Sequence, residues 1–410
     1  MIKKVLITGV AGFLGSHLAD ALIKKNLKVV GIDNLRGGYK DNIPKKVEFH
    51  KIDCVDLKKV NKVMKNIDVV YHCAAAAYEG LSVFAPNDIC KNIFQSSVSI
   101  FTSAIENNVK RIIFCSSMAR YGNQQTPFKE DMIAKPEDPY GIAKVASEDT
   151  LKLLSEVHGM NYNIAVPHNI VGPNQKYDDP FRNVMSIFIN RNLQGEPSII
   201  YGDGMQQRCF SYIDDVIFCL EKLALDNNIN KEIINIGPDE ETTTVLELSK
   251  LVANETGFNG EPIFVKDRPK EVKFASCSSD KARRLLGYKT KTSLKDSIKL
   301  TADFIKKRGI RKFNYSLPLE IVNDLTPETW SMSDLETVLP NCDINPKGTW
   351  NNKLEDLLMV DPTWYSSHIK GANLIKNKVK NTTKVYTFHR GSTAVKDIEE
   401  TYKICNKNIT

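Results

Sequence analysis

The chain is predicted to be an α/β protein: a Rossmann-type doubly wound parallel sheet, a smaller substrate-binding α/β part and an extra C-terminal α+β appendage. Three observations predict it. Apolar runs of strand length alternate with amphipathic helical segments through the first half of the chain. A glycine-spaced turn joins the first such strand to the first helix. The length of 410 residues, 42% of them hydrophobic, exceeds one ordinary domain and supplies a sizeable core.

The first unit is "KKVLITGVAGFLGSHLADALIKKNLKVVGIDNL", a strand, turn, amphipathic helix and second strand. Its glycines are Gly9, Gly12 and Gly15, spaced G-x-x-G-x-x-G. Gly9 permits a tight turn, Gly12 lets backbone amides approach a pyrophosphate at the helix N-terminus, and Gly15 allows close contact between helix and strand. Asp33 ends the second strand, where a carboxylate accepts both hydroxyls of a ribose and repels the additional phosphate of NADP. NAD is therefore the expected cofactor. Arg36 keeps NADP open, since a guanidinium accommodates a phosphate, against its plainer role as a solvated loop residue.

Three further strands follow, "KVEFHKID", "IDVVYHCAAAA" and "VKRIIFCSS", with helical segments between them. Asp53 stands at a strand end, either facing a ligand at the carboxyl edge of the sheet or capping the next helix. His72 and Cys73 are expected to pack the interior, because no metal-ligand spacing surrounds them. The nine cysteines form no CxxC pair and are odd in number, which argues for reduced thiols, no metal site and a cytoplasmic protein. The net charge of +7 is scattered rather than blocked, so nucleic acid is not an expected partner. The apolar N-terminal run is broken by glycines, unlike a signal peptide, and no stretch reaches membrane-spanning length.

"DPYGIAKVASEDTLKLLSEVHG" opens with a proline loop and continues as a helix, which sets Tyr140 and Lys144 one turn apart on one face. A tyrosine is a poor base near neutrality, but an ammonium one turn away favours the phenolate. Tyr140 would then take a proton from a substrate hydroxyl, Lys144 would hold the nicotinamide ribose, and Ser117, after "RIIFCSS", would orient the substrate.

"GVAGFLGSHL", "DNL", "HCAAAA", "SSMARYG", "YGIAK", "NIVGP", "IYGDGMQQRCFSYIDDV" and "RRLLGY", in this order over residues 1–310, resemble the extended short-chain dehydrogenase/reductase family, specifically its NAD-dependent nucleotide-sugar epimerases and dehydratases of the UDP-glucose 4-epimerase kind. The resemblance implies an NAD-binding part over residues 1–165, with 212–236 returning to it, and a nucleotide-sugar-binding part over 166–310. It implies Ser117, Tyr140 and Lys144 as the catalytic triad. It extends the NAD-contacting set beyond Gly9, Gly12, Gly15, Asp33, Asp53, Tyr140 and Lys144 to Phe13, Leu14, Asn34, Cys54, Ala74 and Ala75. The substrate set it implies is Ser117, Met118, Asn169, Asn183, Arg208 and Arg268. Two arginines suit a diphosphate, whose charges a planar guanidinium clamps while the sugar turns.

The departures narrow the reaction. Val166, Pro167, His168 and Asn169 stand where the family has an Arg-Pro-aromatic-Asn run, and Ser278 replaces an Asp ahead of Lys281 and Ala282. His168 is expected to be satisfied by backbone groups at a strand end. The 4,6-dehydratases of the family carry an Asp-Glu pair where this chain has Met118 and Ala119, and the 3,5-epimerases a Cys at Ala119. Neither side chain moves a proton. What remains is inversion of C4 of an NDP-hexose, most readily a UDP-hexose, through a 4-keto sugar, with NAD regenerated in each cycle. The alternatives are a sugar dehydrogenase, reductase or dehydratase on the same frame, or an idle NAD-binding scaffold or sensor.

Residues 311–410 fall outside the resemblance and hold all three tryptophans, Trp330, Trp350 and Trp364, the mark of an ordered extension. Thr326 or Thr329 is expected to cap a helix there. The helical segments 88–108 and 140–159 are those through which the family forms homodimers, so a homodimer is expected.

Overall fold

The apolar run Val5–Ile7 lies at the centre of β1 (Lys4–Thr8), buried because helices cover both faces of the sheet. β2 (Lys28–Asp33) pairs parallel with it, Lys4 opposite Lys28 through Thr8 opposite Ile32. β3 (Glu48–Lys51), β4 (Val69–His72), β5 (Arg111–Cys115), β6 (Asn161–Pro167) and the strand Glu232–Ile236 join in parallel. The seven-stranded order is Glu232–Ile236, β6, β5, β4, β1, β2, β3. The order reverses between β1 and β4, which opens a crevice at the carboxyl ends of those strands. The computed structural model describes residues 2–265, 272–313, 320 and 321.

One face of the sheet packs on α1 (Phe13–Lys24) and the helix Ile213–Leu225 through Leu18, Leu22, Val216 and Leu220. The opposite face packs on α2 (Leu57–Val63) and on the helices Ser96–Glu106 and Pro139–His158, through Val60, Phe101 and Leu151. Helix Pro139–His158 has a legible start and stop. Asp138 accepts a bond from the Gly141 amide at 2.8 Å, Pro139 needs no amide partner in the first turn, and Gly159 closes the last turn at φ 71°. Tyr140 and Lys144 thereby lie in its first two turns, beside the end of β5.

The helices Val184–Leu193, Val245–Thr256 and Leu294–Arg308 build a separate core from Phe188, Ile189, Leu248, Ile298 and Ile305. A reciprocal cap between Thr244 and Glu247 starts the second of them. The expected helix over 88–108 is a run of three pieces, Pro86–Cys90, a π-helical turn Lys91–Gln95 and Ser96–Glu106. His168 is buried and its Nε2 meets the Pro238 carbonyl at 3.0 Å, the backbone partner expected of it. His72 is buried between the Thr8 and Ser97 hydroxyls. Among the described residues no helix is long and apolar enough to cross a membrane. The expected caps Thr326 and Thr329 and the three tryptophans lie outside the described residues.

Candidate active site

The crevice at the sheet switch point is a cavity of about 540 Å³, of the size that holds a small-molecule ligand. Gly9, Gly12 and Gly15 form its floor. Gly9 adopts φ +71°, where a side chain would be strained, and a Cβ on Gly15 would stand 2.2 Å from the Gly9 carbonyl. Gly12 precedes α1 without a side-chain cap, so the first-turn amides at Phe13 and Leu14, which line the cavity, suit an anion. Asp33 accepts from the Ala11 amide at 3.0 Å and from the Leu35 amide at 2.6 Å. Burial raises its pKa, which those backbone bonds oppose. Asp33 lines the cavity, where a carboxylate oxygen with a lone pair to spare suits a ribose diol. Asn34, Asp53, Cys54, Ala74 and Ala75 line the same end.

Two of the open alternatives are resolved by geometry. The cap of α2 is Asp56, which accepts from the Lys59 amide at 3.1 Å. Asp53 instead stays at the sheet edge, bonded by the Asn34 amide group at 3.0 Å and by the Val55 amide at 3.1 Å. Arg36 is partly exposed but not spare. Its two terminal nitrogens grip the Asp88 carboxylate at 2.8 and 2.5 Å, an arrangement in which its charge is already matched.

At the other wall stand Ser117, Tyr140 and Lys144. Ser117 ends β5's extension and caps the 3-10 turn Met118–Tyr121, accepting from the Ala119 amide at 3.2 Å. Its side chain also bonds the Tyr140 hydroxyl. The Lys144 ammonium donates to the Cys115 carbonyl at 2.7 Å and lies 5.9 Å from the centroid of the Tyr140 ring. This corrects the expectation that the Lys144 ammonium holds Tyr140 as the phenolate: Lys144 is not among the groups that shift it. Burial drives the Tyr140 pKa above its ordinary value, Glu79 and Asp138 add to that, and the Ser117 bond and Arg182 oppose it. Burial also lowers Lys144, to about 8. As it stands Tyr140 is a neutral acid, and positive charge brought into the cavity would make it a base.

Met118 packs against the core beneath the turn rather than lining the cavity, and Ala119 packs beside Tyr140. Farther along, Asn169, Asn183 and Arg208 line the cavity. Asn169 adopts φ 42° and bonds the Cys209 carbonyl at 2.9 Å. Asn183 caps the helix Val184–Leu193, accepting from the Met185 amide at 3.0 Å. Arg208 bonds the Gln207 and Lys273 carbonyls at 2.9 and 3.2 Å. Arg268 lies outside the described residues. Sequence reasoning missed Tyr78, Glu79 and Arg182, which also line the cavity. Arg182 bonds Asp179 at 3.3 Å and the Tyr78 hydroxyl at 3.1 Å while covering the Tyr78 ring at 4.3 Å. Only its place one residue before the Asn183 cap hinted at it.

The profile of the NAD dependent epimerase/dehydratase family matches residues 5–237, more than half of the 410-residue chain. The chain belongs to that family. Its cofactor is NAD, and the glycine floor, the uncapped start of α1 and Asp33 fit the diphosphate and ribose of that group. The chain is similar to a putative UDP-glucose 4-epimerase of Methanocaldococcus jannaschii, 37% identical over 313 residues that make up 74% of this chain and 99% of the relative. It is also similar to a UDP-N-acetyl-alpha-D-glucosaminuronate decarboxylase of Bacillus cytotoxicus, 34% identical over 250 residues, 59% of this chain and 77% of the relative. Among solved structures, a UDP-glucose 4-epimerase of Thermotoga maritima with UDP-glucose superposes with a TM-score of 0.70 at 33% identity, covering 74% of this chain and 99% of that one. In this member of the epimerase/dehydratase family, then, Tyr140, Lys144, Glu79 and Asp138 are the ionisable side chains that line the cavity beside the Ser117 turn.

Proposed function

We propose that the chain is an NAD-dependent 4-epimerase of a nucleotide-linked hexose, with a UDP-hexose as its substrate. Tyr140 carries this assignment. It is bonded by Ser117 inside the NAD cavity, and the two positions after Ser117 hold Met118 and Ala119, which supply no second acid or base for elimination. When bound, NAD accepts and then returns a hydride. Tyr140 removes the proton of the sugar 4-hydroxyl, holds it while the 4-keto sugar turns over, and gives it back to the oxygen on the other face. Ser117 keeps that oxygen in hydrogen-bond reach, and Lys144, buried one turn on, supports the ribose and the charge. Asn183, Arg208 and the N-terminus of the helix Val184–Leu193 are assigned to the nucleotide diphosphate, which stays fixed as the sugar reorients. Arg268 is assigned to the same group on the resemblance alone.

The test is incubation of the protein as purified, without added NAD, with UDP-, GDP- and dTDP-hexoses, followed by NMR and absorbance at the NADH band. A C4 epimer without net NADH supports the assignment; NADH accumulating in step with substrate, or a dehydrated product, sinks it. A uronate substrate is the second possibility. It is favoured by the decarboxylase relative and by the Arg182 guanidinium, whose charge acts on Tyr140. Carbon dioxide released from a UDP-uronate would select it.

We also propose a homodimer. Ile142, Leu153 and Val157 are 53%, 61% and 68% exposed on one face of the helix Pro139–His158, an apolar stripe that a second copy of the same helix would cover.

A further inference from the structure

Behind the cavity wall lies a charged cluster that proton transfer at Tyr140 does not use. Glu148 is wholly buried on the helix Pro139–His158, one turn beyond Lys144 and two beyond Tyr140. Arg120, 3% exposed, donates from Nε to one Glu148 oxygen at 3.1 Å, and its Nη2 stands 3.1 Å from the other. The Ser116 hydroxyl donates to the same carboxylate. Ser116 directly precedes Ser117, and Arg120 lies in the turn that Ser117 caps. The Arg120 guanidinium also covers the Tyr121 ring at 4.8 Å, and Tyr121 bonds Asn235 at 2.8 Å. One carboxylate therefore joins both sides of the Ser117 turn to the helix that bears the other two reactive residues.

A buried ion pair is a poor source of stability. Desolvation of both charges offsets their attraction, and an apolar pair of the same volume serves as well or better. Orientation is a different matter: one Glu148 oxygen accepts from both Arg120 and Ser116, and the ion pair at the other oxygen holds the guanidinium beside the carboxylate. Lys144 has few other charged neighbours. Its surroundings are the Cys115 carbonyl and thiol, the Cys73 thiol, His72, the Phe114 ring and Tyr140, so among the described residues Glu148 is the one carboxylate acting on it.

We propose that Glu148 is a positioning residue of the reaction: through Ser116 and Arg120 it locks the Ser117 turn against the helix of Tyr140 and Lys144, and it sets a buried negative charge behind that lysine. This rests on the assignment of Ser117, Tyr140 and Lys144 as the reacting apparatus. Burial draws the Lys144 pKa down to about 8; the Cys115 and Cys73 thiols and, after them, the Glu148 charge oppose that fall. Without the charge, the ammonium is lost at lower pH.

The experiment compares the full-length wild type with Glu148→Gln, with the double variant Arg120→Met/Glu148→Gln, and with Tyr140→Phe, reading kcat and KM across pH on the epimerised sugar. Glu148→Gln strands the buried Arg120 charge, which destabilises the fold; the double variant removes both charges and nearly keeps the volume. The double variant is expected to lose tenfold or more in kcat with KM within about twofold, and its alkaline limb to move to lower pH. A folded double variant with wild-type kcat and an unmoved limb overturns the proposal. If Tyr140→Phe is as active as wild type, the assignment of the apparatus fails first; if it is inactive while the double variant is normal, the role of Glu148 alone fails.

Discussion

Tyr140 and Lys144 share a helix face, yet burial acts on them in opposite senses, holding the phenol protonated and drawing the ammonium toward neutrality. The charged form of a lysine is its acid form, so a reaction that needs the Lys144 ammonium is intact below pH 8 and declines above it. A pH profile of kcat/KM should therefore show an alkaline limb near 8, and a flat profile to pH 10 would mean that this charge is unused. Tyr140→Phe should lower kcat by about 10²- to 10⁴-fold and leave NAD bound, because the glycine floor holds the other end of the cofactor; residual turnover and NAD content after gel filtration check both. At Asp33 the carboxylate that suits a ribose diol also excludes a phosphate. Asp33→Ala should weaken NAD and narrow its advantage over NADP, measured by titrating each cofactor.

Among elements, the entry to α1 leaves no room for a side chain at Gly15. A Cβ at Gly15 meets backbone, the Gly9 carbonyl at 2.2 Å, so no rotamer relieves it. Gly15→Ala should cost roughly 1–3 kcal/mol in urea denaturation and strip the purified protein of NAD, whereas stable protein with full NAD content would mean that α1 simply shifts. The exposed stripe on Pro139–His158 makes the opposite kind of prediction. Leu153→Asp places a charge on the proposed dimer face without touching the cavity, so sedimentation should move from dimer to monomer. A wild-type monomer at micromolar concentration would remove the dimer itself.

Across the whole molecule, Tyr39 is one of the points at which the two halves of the cavity are stitched. The Tyr39 amide bonds the Ala11 carbonyl of the glycine loop at 3.1 Å, and its hydroxyl donates to Asp178 at 2.6 Å. Asn42 bonds the Ala11 and Asn174 carbonyls, both at 3.1 Å, and Arg308, at the end of the helix Leu294–Arg308, bonds Asn42 at 2.9 Å and covers the Tyr39 ring at 4.3 Å. The glycine loop, the 174–178 loop and the last described helix thus share Tyr39. Tyr39→Ala should speed NAD release severalfold, on the order of 1 kcal/mol of lost retention, as read by trapping released cofactor; unchanged release would make the contact a matter of packing alone.

By itself the sequence determined the parts whose requirements are local. The glycine spacing, the strand that ends at Asp33, the Asp138-Pro139 helix start and the one-turn interval from Tyr140 to Lys144 each depend on backbone conformation within a few residues, and the structure has them where periodicity set them. Tertiary structure decided the partners. Arg36 is matched by Asp88, 52 residues away, and Asn42 by Arg308, 266 residues away; no local pattern encodes either pair. It also decided protonation, for the Tyr140–Lys144 interval suggested a phenolate while burial holds the phenol and turns the ammonium to a backbone carbonyl. Spacing fixes which side chains share a face, whereas desolvation and long-range pairing depend on what the rest of the chain packs over that face.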